Sequence, residues 1–334
     1  MAEMMKRVAL AARPNGVPKP SDFKVEEMSI PKPGRDEFLV KNLFLSVDPY
    51  MRGRMNGVTT YAKGVDLGET MVGGGIGQVT ESNHPDFAVG DIVNSSFGWQ
   101  THAISDGTGA CKVDPELAPI STALGVLGMP GLTAYFGLLD VSPPVAGETV
   151  VVSAASGAVG SVVGQIAKIK GCRVIGISGT DEKIGYIVDG LGFDGGFNYK
   201  TTDDYGEALE RLCPDGIDVY FDNVGGPITD AVFPKLNLNA RITICGQIDQ
   251  YNATEPPVGP RLLWHCIVKR LQIRGMLVFD FVDQHAEALK QLGQWVRSGE
   301  IRYREDVVEG IDNMPEAFIG LLRGDHIGKR IVKI

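Results

Sequence analysis

The sequence predicts an α/β protein, a β-rich first part followed by a doubly wound parallel sheet. Its 334 residues exceed an ordinary single core and suffice for two. Roughly the first hundred residues carry short strand-like runs between turn residues, whereas from Pro130 apolar runs alternate with helix-length segments. A glycine-punctuated turn, "SGAVG", joins the first of those apolar runs to a helix.

"FLVKNLFLSVD", "MVGGGIGQVTES" and "DIVNSSFGWQTHAIS" read as strands of a compact β unit. "TVVVSA", "RVIGIS", "GGFNYK", "IDVYFDNV", "RITICG" and "LQIRGMLV" read as six further strands, with crossover helices over 159–170, 181–191, 203–212 and 228–236. After Val278 one amphipathic helix presents Ala286, Leu289, Leu292 and Val296 on a single face. A strand-turn-helix tail ending "GKRIVKI" is expected to return to the first unit. The expected division is 1–125, 126–300 and 301–334, the last part completing the first.

A net charge of −9 without a basic run gives no footprint for nucleic acid or anionic lipid. The N-terminus offers a four-residue apolar run, 8–11, before Arg13 and Pro14, too short for a signal peptide, and no eighteen-residue apolar span occurs. Five cysteines, Cys111, Cys172, Cys213, Cys245 and Cys266, stand singly, which fits reduced thiols in a cytoplasm. No membrane partner is expected.

Within 150–178 the strand, turn and helix form a candidate pyrophosphate cradle: Gly157 lets backbone approach a phosphate, Gly160 lets helix and strand pack closely, and Gly164 one turn later keeps that contact tight. Ala155 occupies the place of the first glycine in G-x-G-x-x-G, so an ordinary tight turn stands as the alternative. The end of the second strand, Gly176-Ile177-Ser178-Gly179-Thr180, lacks the acid that would take a ribose 2′-hydroxyl. A neutral shelf followed by Lys183 leaves room for a 2′-phosphate held by Lys183 with the Ser178 or Thr180 hydroxyl, so the expected cofactor is NADPH/NADP; otherwise Lys183 is a solvated first-turn residue.

"LSVDPYMRGRM", "GTDEK", "FNYKT", "FDNVGG", "ICGQIDQYN" and "GKRIVKI", together with the turn segment, are similar to the zinc-independent medium-chain dehydrogenases/reductases. The branch resembled holds leukotriene B4 12-hydroxydehydrogenase/prostaglandin reductase, plant double-bond reductases and bacterial curcumin reductase. The resemblance implies a GroES-like first domain, a Rossmann second domain, an active site in the cleft between them, a homodimer, and NADPH-dependent reduction of the C=C bond of α,β-unsaturated ketones and aldehydes. It also implies site residues: Gly157, Ala158, Val159 and Gly160 for the pyrophosphate; Lys183 and Tyr199 for the 2′-phosphate end. Asn223 and the segment holding Cys245, Gly246 and Tyr251 would line the cofactor, with Met276, Leu277 and Val278 beside the nicotinamide and His326 where the branch has an asparagine.

Zinc ligands are missing. "VGGGIGQV" offers only backbone, Asp48-Pro49-Tyr50 stands where the zinc enzymes place a cysteine, and the five histidines show no ligand spacing. An enolate then needs another stabiliser; Tyr50 is the first candidate and Tyr251 the second, because a branch tyrosine is replaced by Val268. Arg52 and Arg54 are expected to pair with the acidic N-terminal stretch rather than with a substrate anion. Two other functions stand against the reductase: an allylic or secondary alcohol dehydrogenase, and a non-catalytic NADPH-binding protein.

Overall fold

β1 (Met4–Leu10) buries Met5 and the run Val8, Ala9 and Leu10, whereas β2 (Phe23–Ser29) buries Phe23 alone, and the strands pair antiparallel, Val8 against Val25 and Leu10 against Phe23. This is a computed structural model describing residues 3–334; Met1 and Ala2, the start of the segment weighed as a signal sequence, lie outside the described residues. Next come β3 (Phe38–Ser46), the short helix α1 (Met51–Arg54), β4 (Gly75–Ser82), β5 (Ile92–Ser95), β6 (His102–Ser105) and β7 (Cys111–Lys112). "DIVNSSFGWQTHAIS" thus divides into two strands, and β3 pairs antiparallel with both β4 and β6.

From Val126 the alternating pattern takes over: α2 (Met129–Phe136), β8 (Thr149–Ser153), α3 (Gly160–Ile169), β9 (Arg173–Ser178), α4 (Asp181–Gly185), β10 (Gly195–Asn198), α5 (Tyr205–Leu212), β11 (Ile217–Asp222), α6 (Gly226–Val232), β12 (Leu236–Ile244), α7 (Leu263–Lys269), β13 (Gln272–Gly275) and α8 (His285–Ser298). Six strands form one parallel sheet in the order β10-β9-β8-β11-β12-β13, so the winding reverses between β8 and β11. At such a reversal the strand ends leave a crevice for a ligand. Both faces are covered, hence the unbroken apolar runs: Val150, Val152, Val219 and Phe221 pack with Val162, Val163 and Ile166 of α3, while Val151, Ile175, Tyr220 and Ile242 pack with Leu209 and Val232.

Two expected elements shift. Ala286 is exposed, and α8 instead buries Ala288, Leu292 and Trp295, with Leu289 and Val296 at the margins. The bulk of Trp295 sets that register. Leu236 opens β12 rather than closing a helix, because Pro234 cannot continue α6 past Val232.

The tail supplies β14 (Glu305–Glu309), α9 (Met314–Arg323) and β15 (Lys329–Lys333), and β15 pairs parallel with β14 and antiparallel with β3. Phe318 of α9 meets Phe23 and Trp99 at ring-centroid distances of 6.2 and 5.6 Å. Two compact units result: residues up to Gly125 together with Glu305–Ile334, and Val126–Arg304.

A buried ion pair joins the two chain segments of the first unit. Lys329 Nζ lies 2.5 Å from Asp48 Oδ1 and donates to the Val47 carbonyl at 2.9 Å, while the Ser46 hydroxyl donates to the other Asp48 oxygen. Their side chains are only 5% and 8% exposed. Removing one partner strands the other charge in a dry interior, so Asp48→Ala is expected to lower unfolding free energy by about 3 to 5 kcal/mol in denaturant titrations. Asp48→Leu with Lys329→Met recovers most of that loss; a double variant as unstable as Asp48→Ala refutes the account.

Candidate active site

The turn after β8 is built from close contacts. Ala154 takes the left-handed region at φ 49°, the Ala155 amide donates to the Ile177 carbonyl at 3.0 Å, and the Gly157 amide donates back to the Ala154 carbonyl at 3.0 Å. A Cβ on Gly160 would stand 2.4 Å from that same carbonyl, so the start of α3 reaches the turn only as glycine. Val159 at the helix N-cap carries no side-chain acceptor; the Ser161 and Val162 amides donate to the Gly157 and Val159 carbonyls at 3.0 and 3.1 Å, so the amides that can face a ligand lie earlier, from Ala158 to Gly160. That geometry suits a pyrophosphate.

Ala155 is tolerated for a reason the local motif hides. A Cβ on Gly176 of the neighbouring strand would lie 2.3 Å from the Ile187 side chain and 2.8 Å from the Ala155 Cβ, so that glycine leaves room for both the isoleucine and the alanine methyl. The left-handed conformation falls on Ala154, and Ala155 itself is ordinary. Gly164 corrects another expectation: a Cβ there would lie 1.9 Å from the Phe193 ring, so it admits that ring rather than tightening a helix–strand contact.

At the end of β9 the Thr180 hydroxyl accepts the Lys183 amide at 3.2 Å and caps α4. Lys183 is 8% exposed, and Tyr199 packs on the shelf, its hydroxyl 3.1 Å from where a Cβ of Gly179 would be. Asp181, the nearest following acid, is engaged by Asn198 Nδ2 at 2.8 Å. Ser178 has a different task from the one expected: it is buried, and its hydroxyl accepts the Ser156 amide at 3.2 Å, bracing the turn from below.

The ends of β8, β11 and β12 are tied together by Asp222, which the sequence reading did not single out. Its carboxyl accepts from the Ser153 hydroxyl (3.2 Å), the Tyr220 hydroxyl (3.0 Å) and the Val224 and Gly225 amides (2.9 Å each) on one oxygen, and from Thr229 (2.8 Å) and Gln247 (3.0 Å) on the other. An acid closing an otherwise apolar strand just before Gly-Gly was the available signal. Asn223 then donates from its amide to the Ser153 hydroxyl and from Nδ2 to the Ser153 carbonyl, both at 2.8 Å. Cys245 and Gly246 donate their amides to the Asp222 carbonyl at 2.8 and 3.1 Å. Burial and the nearby Asp222 charge push the Cys245 thiol up to about 12, so it stays a thiol and no nucleophile.

The Tyr251 hydroxyl accepts the Gln247 amide at 3.5 Å, which holds Tyr251 over Gly246. The Met276 amide donates to the Ile244 carbonyl at 3.3 Å; Met276 and Val278 turn inward on Leu132 and Phe136, leaving Leu277 outward. The structure therefore gathers Asn223, Cys245, Gly246, Tyr251 and Met276 around the ends of β11 and β12, with Gly157, Ala158, Val159 and Gly160 at the end of β8. Val268 lies on α7 and is 46% exposed.

In the first unit Tyr50 precedes α1, its ring packed beside Met51 and Met55 and its hydroxyl without a hydrogen bond to any described residue. Burial first, and the Asp48 charge second, raise its pKa well above the ordinary tyrosine value, so the phenol stays protonated and remains a hydrogen-bond donor. Arg52 donates to Asn56 Oδ1 at 2.5 Å and to the Gly16 carbonyl at 2.9 Å, and the charge of Asp22, in the N-terminal stretch, acts on it. His326 is half-buried in the segment between α9 and β15. No three His, Cys, Asp or Glu side chains among the described residues converge as a metal ion requires, and no described helix is long and apolar enough to cross a membrane.

Residues 6–113 match the family described as the N-terminal domain of oxidoreductase, and residues 158–296 match zinc-binding dehydrogenase. The chain is 46% identical to the NADPH-dependent curcumin reductase of Escherichia coli (strain K12), covering 98% of this chain and 96% of the relative. It is 42% identical to the NADP(+)-dependent 2-alkenal reductase of Nicotiana tabacum, covering 98% and 97%. A crystal structure of CurA from Vibrio vulnificus in complex with NADPH superposes with a TM-score of 0.94 at 47% identity, over 98% of both chains. With full-length similarity at this level, a reversing parallel sheet in one unit and a β-rich fold in the other, the chain belongs to the zinc-independent branch of the medium-chain dehydrogenases/reductases.

Proposed function

We propose that this oxidoreductase uses NADPH to reduce the C=C bond of α,β-unsaturated ketones and aldehydes. The observation that carries the cofactor choice is the end of β9, where Gly179 and Thr180 replace an acid and Lys183 and Tyr199 close round the shelf. The residues present suit such a cofactor: Gly160 keeps the pyrophosphate turn open, and Ala158 and Val159 offer backbone amides. Likeness to a 2-alkenal reductase and a curcumin reductase supports the substrate class.

When bound, NADPH supplies a hydride equivalent to the β-carbon. The chain's own contribution is to the other end of the conjugated system, where negative charge gathers on the carbonyl oxygen. Tyr50, kept protonated by its surroundings, donates a hydrogen bond to that oxygen. A proton then reaches the α-carbon and restores the carbonyl. Tyr251 serves as a second donor, and Leu277 with its backbone neighbours flanks the reacting ring. Alcohol oxidation is the weaker reading, since an alkoxide concentrates its charge on one oxygen and no metal ligand set converges among the described residues to meet it.

The protein acts as a cytoplasmic homodimer in this proposal. β13 ends the six-stranded sheet with one edge unpaired among the described residues, and beside it α7 exposes Leu263, Trp264 and Ile267 at 75%, 68% and 68%. Such an edge and such a patch favour a second copy.

Three measurements test these points. Absorbance of NADPH is expected to fall with a simple enone and not to rise when NADP meets an allylic alcohol; tight NADPH binding without turnover across an enone panel would leave a binding protein instead. Lys183→Ala is expected to raise KM for NADPH at least tenfold more than KM for NADH, and equal effects remove Lys183 from the phosphate. Ile273→Pro with Trp264→Glu is expected to shift sedimentation from dimer to monomer; unchanged dimers place the contact elsewhere.

A further inference from the structure

We infer that Asn198 is a positioning residue for cofactor choice: its side chain ties down Asp181, the first acid after β9, and so keeps the shelf beside Lys183 fit for a 2′-phosphate. This rests on the assignment of that phosphate to Lys183 and Tyr199 proposed above.

An acid at Asp181 serves one element and opposes another. It stands in the first turn of α4, where a carboxylate favours the start of a helix. It also follows directly on Gly179 and Thr180, the neutral shelf from which an acid is otherwise left out. A carboxylate free to turn onto that shelf would accept from a ribose 2′-hydroxyl and repel a 2′-phosphate, which is what a site for NADH requires.

Asn198 reconciles the two demands. β10 runs parallel to β9 with Asn198 paired to Ser178, and the Tyr199 amide donates to the Ser178 carbonyl at 3.0 Å, so the residues that follow the two strands lie side by side. Asn198 is buried, and both ends of its side-chain amide are used. Nδ2 donates to Asp181 Oδ1 at 2.8 Å, while Oδ1 accepts the Lys200 amide at 3.0 Å. The Asn198 carbonyl accepts the Thr201 and Thr202 amides at 3.2 and 3.1 Å, and the Tyr205 hydroxyl donates to the Tyr199 carbonyl at 2.9 Å. The turn that carries Tyr199 is therefore fixed, and so is the donor it presents to Asp181.

The start of α4 is held at two points, by the Thr180 hydroxyl on the Lys183 amide at 3.2 Å and by Asn198 on Asp181. One clamp sets the backbone from which Lys183 projects, and the other engages the acid two residues before it. Aspartate at 198 would keep the acceptor for Lys200 and lose the donor; alanine loses both.

Calorimetric titration with NADP and with NAD, without substrate, tests this independently of turnover. Wild type is expected to prefer NADP, and Asn198→Ala to raise Kd for NADP about tenfold more than Kd for NAD. Adding Asp181→Ala to Asn198→Ala is expected to return the ratio to within about threefold of wild type, because the acid to be restrained is gone. A residue that merely braced the turn would leave the double variant as poor as the single one. A wild type that binds both alike, a ratio unchanged by Asn198→Ala, or a double variant that stays defective each overturns the inference. Thermal melts show whether Asn198→Ala is folded; if it is not, Asn198→Asp, which keeps the Lys200 acceptor, carries the same comparison with the same rescue. Lys183→Ala titrated in parallel separates the inference from the assignment beneath it. An altered ratio in Lys183→Ala but not in Asn198→Ala overturns the clamp alone, whereas a rescued effect of Asn198→Ala beside an unchanged ratio in Lys183→Ala supports the clamp and overturns the role of Lys183.

Discussion

The ligand-facing end of the parallel sheet depends on one buried carboxyl. Asp222 is wholly inaccessible, and a polar group so placed is tolerable only when its lone pairs are filled. Six donors fill them, and they come from the end of β8, from within β11, from the entry to α6 and from the segment after β12. Each donor is thereby fixed against the same point, so the turn at Ser153, the Asn223 side chain and the backbone at Cys245 and Gly246 hold one geometry. A cofactor crossing several strand ends meets a surface already assembled, which lowers the ordering cost of binding.

Much of this was legible in the sequence because period and punctuation are local. Six apolar runs separated by helix-length segments give a wound parallel sheet, and every expected strand of that sheet formed. Compensation between distant residues is not local. Ala155 departs from the glycine pattern, and its tolerance comes from Gly176 on the next strand; nothing within the turn announces that trade. The face of α8 was misplaced for a related reason: Ala286 fits an amphipathic stripe, yet Trp295 has far more surface to bury and rotates the helix toward Ala288.

Charged residues were harder still, because a charge in a sequence does not name its partner. Arg52 and Arg54 stand two positions apart in "MRGR" and carry the same formal charge. On α1 that separation turns them to different sides: Arg52 meets the Asn56 side chain and the Gly16 carbonyl, whereas the Arg54 Nε is buried without a hydrogen-bond partner. Asp222 looked like the end of a strand beside the more familiar Asn-Val-Gly-Gly, and only the three-dimensional arrangement of its donors shows that the asparagine depends on it.

The first unit answers a chemical problem that its missing zinc ligands create. A metal ion meets an alkoxide or enolate with full positive charge, whereas a phenol offers only one polarised O–H. That substitution works if the charge to be met is spread out and if the phenol never ionises. An enolate spreads its charge over oxygen and carbon and is discharged by protonation at carbon. Tyr50 is held in its protonated form by burial and by Asp48, whose own charge is balanced by Lys329 at 2.5 Å. The ion pair that joins β15 to the segment after β3 therefore also governs the charge next to Tyr50: if Tyr50 serves as the donor proposed above, an Asp48 without Lys329 would set a buried anion near the oxygen on which negative charge develops. On that proposal, fold stability and the chemistry of an enolate place the same demand on this pair.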